Sequence, residues 1–113
     1  MQKIPSLEKK PGCIQAALKI IGEKWTALII RDLYYGSKRF NQLQHSLPGI
    51  SPRTLSQRLL KLEECKVILK QKGEESLGYP EYSLTQKGSD FAGILQQMAD
   101  WGAKYQQVQS IKQ

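Results

Sequence analysis

The sequence predicts a mainly α fold with one small β-hairpin (α+β), and three observations predict it. Apolar residues recur at three- and four-residue steps before residue 66 and again from residue 86 onward. Between those stretches the period changes: Val67–Lys72 and Tyr79–Leu84 are short strand-like runs separated by the glycine-bounded loop Gly73–Gly78. Punctuation falls at the junctions, where Gly36, Pro48-Gly49, Ser51-Pro52 and Thr85 supply helix stops and starts. A chain of 113 residues suffices for one modest hydrophobic core without disulfide or metal staples.

Taken in order, residues 1–12 carry three lysines, two prolines and a glycine and read as a flexible basic arm, leaving 13–113 as a single domain. A helix begins at Cys13, with Ile14, Ala17, Leu18 and Ile21 at helical spacing until Gly22 interrupts it. Trp25, Leu28, Ile29 and Leu33 mark a second helix that Gly36 ends. A short third helix runs from Asn41, its expected N-cap, to Leu47, turning Phe40, Leu43 and Leu47 inward. Pro48-Gly49 breaks it. Ser51 then caps a fourth helix whose first turn suits Pro52 and whose buried stripe is Leu55, Leu59 and Leu62. Two helices joined by so tight a turn form a helix-turn-helix candidate over 41–64. The hairpin at 67–84 follows at once, and Thr85 caps a last helix over 86–108.

Composition narrows the function. The formal charge of +7 favours polyanionic partners, nucleic acid or an anionic membrane surface. No apolar stretch approaches the roughly 18 residues that span a bilayer. The N-terminal lysines have no apolar run behind them, so a signal peptide is not expected and a cytoplasmic location is. Cys13 and Cys65 lie far apart and, with His45 the sole histidine, are too few for a zinc site; in a reducing cytoplasm both are expected as free thiols. His45 has no carboxylate or cysteine within a plausible turn, and Gly73–Gly78 is no nucleotide cradle. Neither catalysis nor a cofactor is expected.

A helix-turn-helix followed directly by a hairpin is a winged helix, which inserts the second helix of the motif into the major groove of DNA. At about 100° per residue, the stripe Leu55/Leu59/Leu62 leaves Arg53, Gln57, Leu60 and Glu64 opposite, with Thr54, Ser56 and Lys61 on the flanks. Arginine can pair with guanine, glutamine with adenine, and hydroxyls with bases or phosphates. A merely solvated polar face would look similar. Against that, Arg53–Lys72 holds six basic residues and two acidic ones. Double-stranded DNA is therefore the expected partner. The competing reading is a winged helix serving as a protein-interaction module, which the apolar Leu60 on that face would suit.

The last helix is longer than a winged domain needs, and its apolar face is wide: Phe91, Leu95, Met98, Gly102 and Tyr105, broadened by Ile94, Trp101 and Val108. A homodimer is expected, sealed by Ile14, Leu18, Phe91, Leu95, Met98, Trp101 and Tyr105; packing wholly within one chain is the alternative. A twofold dimer would set two reading helices about one DNA turn, roughly 34 Å, apart.

Several stretches together resemble the HxlR-type helix-turn-helix regulators: Ala17-Leu18-Lys19-Ile20-Ile21-Gly22-Glu23-Lys24-Trp25-Thr26, Arg39-Phe40-Asn41-Gln42-Leu43, Pro48-Gly49-Ile50-Ser51, Thr54-Leu55-Ser56-Gln57-Arg58-Leu59, Tyr82-Ser83-Leu84-Thr85-Gln86-Lys87-Gly88 and Trp101-Gly102. The resemblance implies a prokaryotic transcription regulator that dimerises through terminal helices, binds an inverted-repeat operator, and reads it with Ser51–Leu62. Candidate DNA contacts are then Arg39, Asn41, Ser51, Pro52, Arg53, Thr54, Ser56, Gln57, Arg58 and Lys61. The family often carries an arginine just before Glu-Tyr-Ser-Leu-Thr, whereas Tyr79-Pro80 stand there in this chain and Glu74 and Glu75 occupy the tip. Lys70 and Lys72 on the strand are accordingly the expected phosphate contacts of the wing. The resemblance also implies that Cys13 is a candidate sensor of oxidants or electrophiles. A helix N-terminus beside Lys9 and Lys10 favours a thiolate, while burial as a small apolar residue explains the position more simply. Cys65 is expected to be structural. Trp25 and Tyr34, Tyr35, Tyr79, Tyr82 and Tyr105 could line an effector pocket, but core packing is the simpler expectation; any small-molecule effector stays unidentified.

Overall fold

The computed structural model describes residues 11–73 and 77–112, with side chains described for 14–20, 22–73 and 77–106. Most of the basic arm, the wing-tip glutamates Glu74 and Glu75, and the side chains of Cys13, Ile21 and Val108 lie outside the described residues. Among the described residues five helices and three strands follow one another: α1 (Pro11–Ile21), α2 (Lys24–Tyr34), β1 (Lys38–Arg39), α3 (Phe40–Ser46), α4 (Pro52–Glu64), β2 (Ile68–Lys72), β3 (Pro80–Leu84) and α5 (Gln86–Lys112).

The helices form where local chemistry allows them to start and stop. At the head of α4, the Thr54 N–H donates to Ser51 Oγ (3.0 Å), and Pro52 occupies the first turn, where no amide donor is needed. The other end closes with a left-handed residue. Lys66 has φ +62°, its N–H donates to the Glu63 carbonyl (2.9 Å), and the Val67 N–H donates to the Leu62 carbonyl (2.9 Å). That pair of bonds is a Schellman closure with lysine where glycine is usual. It also shows why the strand begins at Ile68 and not Val67: the Val67 amide belongs to the helix end.

The cap of helix α3 lies two residues earlier than the sequence suggested. Arg39, not Asn41, holds the cap position, and Gln42 Oε1 accepts the Arg39 N–H at 2.8 Å. A glutamine reaching back in this way satisfies an orphan donor as well as an Asn cap would. Helix α1 likewise begins at Pro11, before Cys13, and α5 continues past residue 108 to Lys112.

The expected hairpin is present, β2 pairing antiparallel with β3 from Ile68↔Leu84 to Lys72↔Pro80. A third strand accompanies it. β1 pairs with β3 through Lys38↔Tyr82 and Arg39↔Glu81, giving a sheet of order β1-β3-β2. Two residues are too few to show a period of two, so nothing in the pattern announced β1.

The core gathers Ile29, Ile30 and Leu33 of α2, Leu43 of α3, Leu47 and Ile50 of the turn, Leu55, Leu59 and Leu62 of α4, and Val67, Ile68 and Tyr82 at the root of the wing. Each fully buried Leu or Ile contributes about 1.5–3 kcal/mol over leaving it in water. Helix α5 joins this core through Ala92 and packs Leu95 against it. The Thr85 hydroxyl joins the parts: it donates to the Lys66 carbonyl (2.6 Å) and accepts the Gly88 N–H (3.1 Å) as the cap of α5.

Candidate nucleic-acid interface

The buried stripe of α4 fixes which of its residues meet solvent. With Leu55, Leu59 and Leu62 sealed inside, Ser51, Pro52, Arg53, Ser56, Gln57 and Leu60 are exposed and Thr54 is half-buried. Arg53 forms no ion pair among the described residues, so its guanidinium is available to a partner. Ser51 is partly committed to the fold, since it donates to Thr54 Oγ1 (2.9 Å) while accepting the Thr54 N–H. The Thr54 hydroxyl keeps its own proton for an outside acceptor.

Not every candidate shares that face. Arg58 turns back and pairs with Glu23, at the head of α2, with only a quarter of its side chain exposed. It ties α4 to the elbow between α1 and α2. Lys61 lies toward the C-terminal end of α4, in a cleft with residues of α1 and α5.

The wing supplies two cations. Lys70 and Lys72 lie two residues apart on β2, hence on one face of the strand, and both are exposed. The Lys70 ammonium stands 5.8 Å from the centroid of the Tyr82 ring, which packs the lysine stem without neutralising its charge. Between wing and motif lies a cleft of about 430 Å³ that brings Arg39 and Asn41 beside Tyr79, Pro80 and Tyr82. The grouping depends on β1, and for that reason the sequence did not reveal it. Glu81 opposite Arg39 is held by the Ser37 hydroxyl at 3.1 Å.

The aromatic residues divide in a way the sequence reading did not anticipate. Tyr82 is in the core as expected, but Tyr34, Tyr35, Tyr79 and Tyr105 are exposed, so core packing does not account for them. Tyr34 and Tyr35 stack edge to face at 5.5 Å on a groove of about 580 Å³ between α2 and α5. Of the residues expected at a dimer seam, Ile14, Leu18, Met98, Trp101 and Tyr105 are exposed, whereas Phe91 is buried within its own chain and Leu95 packs against its own core. Ile94 adds to the exposed set.

Among the described residues no group of three His, Cys, Asp or Glu could hold a metal ion, and no helix is long and apolar enough to cross a membrane. His45 is exposed on α3.

Comparison with known proteins gives this geometry its context. Residues 20–110 match the HxlR-like helix-turn-helix family. The HTH-type transcriptional regulator YvaP of Bacillus subtilis is 37% identical over 80% of this chain and 84% of its own. YodB, an HTH-type transcriptional regulator of the same organism, is 32% identical over 81% of this chain and 82% of its own. Its reduced form superposes with a TM-score of 0.72 over 92% of this chain and 95% of that one at 30% identity. Its quinone-bound form gives 0.70 over 80% and 94% at 32% identity. The redox regulator HypR, in its reduced form, gives a TM-score of 0.77 over 86% of this chain and 96% of its own at 30% identity. With a family match across most of its length and regulators of the same winged-helix build on every side, the chain belongs to the HxlR-like helix-turn-helix transcriptional regulators.

Proposed function

We propose that the chain is a non-enzymatic, cytoplasmic regulator that binds an inverted-repeat operator as a homodimer and needs no cofactor. The observation that carries this reading is the N-terminal half of α4, which presents Arg53, Ser56 and Gln57 to solvent beside the half-buried Thr54, together with the exposed Lys70 and Lys72 of the wing. The apolar residues left in solvent, Ile14 and Leu18 on α1 and Ile94, Met98, Trp101 and Tyr105 on α5, support a second copy as the seam's partner.

Mobility-shift titration against duplex fragments selected from the host genome tests the DNA reading. Retention should weaken steeply with salt, by about a thousandfold or more between 50 and 200 mM if six or more phosphates are neutralised. Absence of any duplex binding would leave the protein-interaction module as the better account. Sedimentation at micromolar concentration should show a dimer, and a monomer alone at that concentration would defeat the seam.

A second reading concerns Cys13 and rests on the quinone-bound structure of YodB and on HypR, a redox regulator. Under it, a quinone or peroxide changes operator affinity through this thiol, and Cys13→Ser abolishes the response. The reading is lost if Cys13 resists a labelled alkylating agent in the native protein and oxidant leaves operator binding unchanged.

A further inference from the structure

Three lysines from three helices face a single cleft behind the reading helix. Lys19 of α1, Lys61 of α4 and Lys87 of α5 line a cavity of about 460 Å³, together with Ala16, Ile20 and the half-buried Cys65. The Lys87 ammonium is held in place by donating to the Cys65 carbonyl at 2.8 Å. Among the described residues none of the three is in an ion pair with a carboxylate.

Cations that converge on a concave surface, with no counter-charge and with low-dielectric walls, raise the local concentration of anions. Here, among the described residues, no carboxylate pairs with any of the three ammonium groups, and the Lys87 ammonium is met by the Cys65 carbonyl alone. The apolar side chains of Ala16 and Ile20 favour an occupant with a hydrocarbon body, and the cavity falls within the volume range of small-molecule sites. The cleft is separate from the proposed reading face. Lys61 lies eight residues beyond Arg53, about 12 Å along the helix. It is also separate from the exposed apolar edge of α1, because Gln15 and Lys19 project about 100° around the helix from Ile14 and Leu18.

We propose that this cleft binds a small organic anion, an acidic head group carried on an apolar body of about one ring. A carboxylate and a phosphate share the required chemistry. The site goes beyond the operator reading and stands or falls without DNA.

Cys65 lines the cavity, so its thiol can report on the charge there. In the chain carrying Cys13→Ser it is the sole cysteine. Alkylation by iodoacetate and by iodoacetamide proceeds alike: the thiolate sulfur bonds to the methylene carbon, the C–I bond breaks and iodide leaves. The reagents are nearly equal in size and differ by one negative charge, so their rate ratio cancels both exposure and thiolate population. The iodoacetate-to-iodoacetamide ratio in the native protein should exceed that of the urea-unfolded chain by about threefold or more at low salt. It should fall toward the unfolded value in Lys19→Gln and Lys87→Gln and at high salt.

In a second arm, benzoate or phenyl phosphate at millimolar concentration should slow alkylation by iodoacetamide, and the stronger protector identifies the head group. Benzyl alcohol should not protect. A native ratio equal to the unfolded one overturns the proposal. So does failure of both anions to protect, or protection by benzyl alcohol as strong as theirs. None of these results bears on operator binding.

Discussion

Arg53→Ala lowers discrimination between the operator and an unrelated duplex by about tenfold or more, the equivalent of roughly 1–3 kcal/mol for a lost bidentate base contact. The expectation follows from position. Arg53 stands in the first turn of α4, opposite Leu55, Leu59 and Leu62, and nothing among the described residues neutralises it. Lys70→Ala behaves differently. A lysine on the wing strand reaches phosphate, so its loss weakens all duplexes alike and reduces the salt slope by about one. Mobility shifts with the selected operator and a scrambled duplex, each over a salt series, separate the two effects. Equal loss of both duplexes in Arg53→Ala would remove it from base reading.

Gly88→Ala destabilises the fold by about 1–3 kcal/mol, in the range of overpacked interiors, and for a domain of this size that lowers Tm by roughly 5–20 °C. A Cβ at this buried position would run into the Val67 backbone carbonyl and press on Leu84. Backbone cannot yield as the end of a flexible side chain can, and this carbonyl also accepts the Thr85 N–H at 3.0 Å. The first turn of α5 must therefore sit against the root of the wing with no side chain between them. Gly93→Ala, one and a half turns on, is the control. Its Cβ meets nothing within 4 Å, and replacing glycine in a helix interior stabilises by about 0.5–1 kcal/mol. Thermal melts of the two variants should move in opposite directions, and a Gly88→Ala melt at or above the wild-type Tm would refute the close-packing argument.

The helices were legible in their apolar spacing, and α4 in its end signals as well. Ser51-Pro52 announced α4, and Leu55, Leu59 and Leu62 announced its inward face; both are local. Thr85 was legible as a cap for the same reason, though its bond to the Lys66 carbonyl was not, because that partner is 19 residues away. The candidate site was legible to the extent that it lies on one helix. Arg58 has the same composition-level signal as Arg53, and only the tertiary arrangement shows that Glu23 takes it. The tyrosines mislead in the opposite sense, since aromatic character alone does not say which of them the core has room for. Lys19, Lys61 and Lys87 are ordinary surface lysines in the sequence, and only the packing of α1, α4 and α5 makes them neighbours.

The smallest element has a consequence for modularity. β1 has two residues, yet its partners Tyr82 and Glu81 lie more than forty positions later in the chain. Such a pairing closes a long loop, so it forms late and is stable only when everything between its ends is in place. The wing is thus not a detachable hairpin following the helix-turn-helix; its outer edge is laid down before the motif begins. Cutting the chain just ahead of Phe40 would remove a strand from the wing while leaving the motif intact in sequence. Reader and wing are therefore expected to unfold in a single transition, and a chain beginning at Phe40 to melt at lower temperature than one that keeps β1.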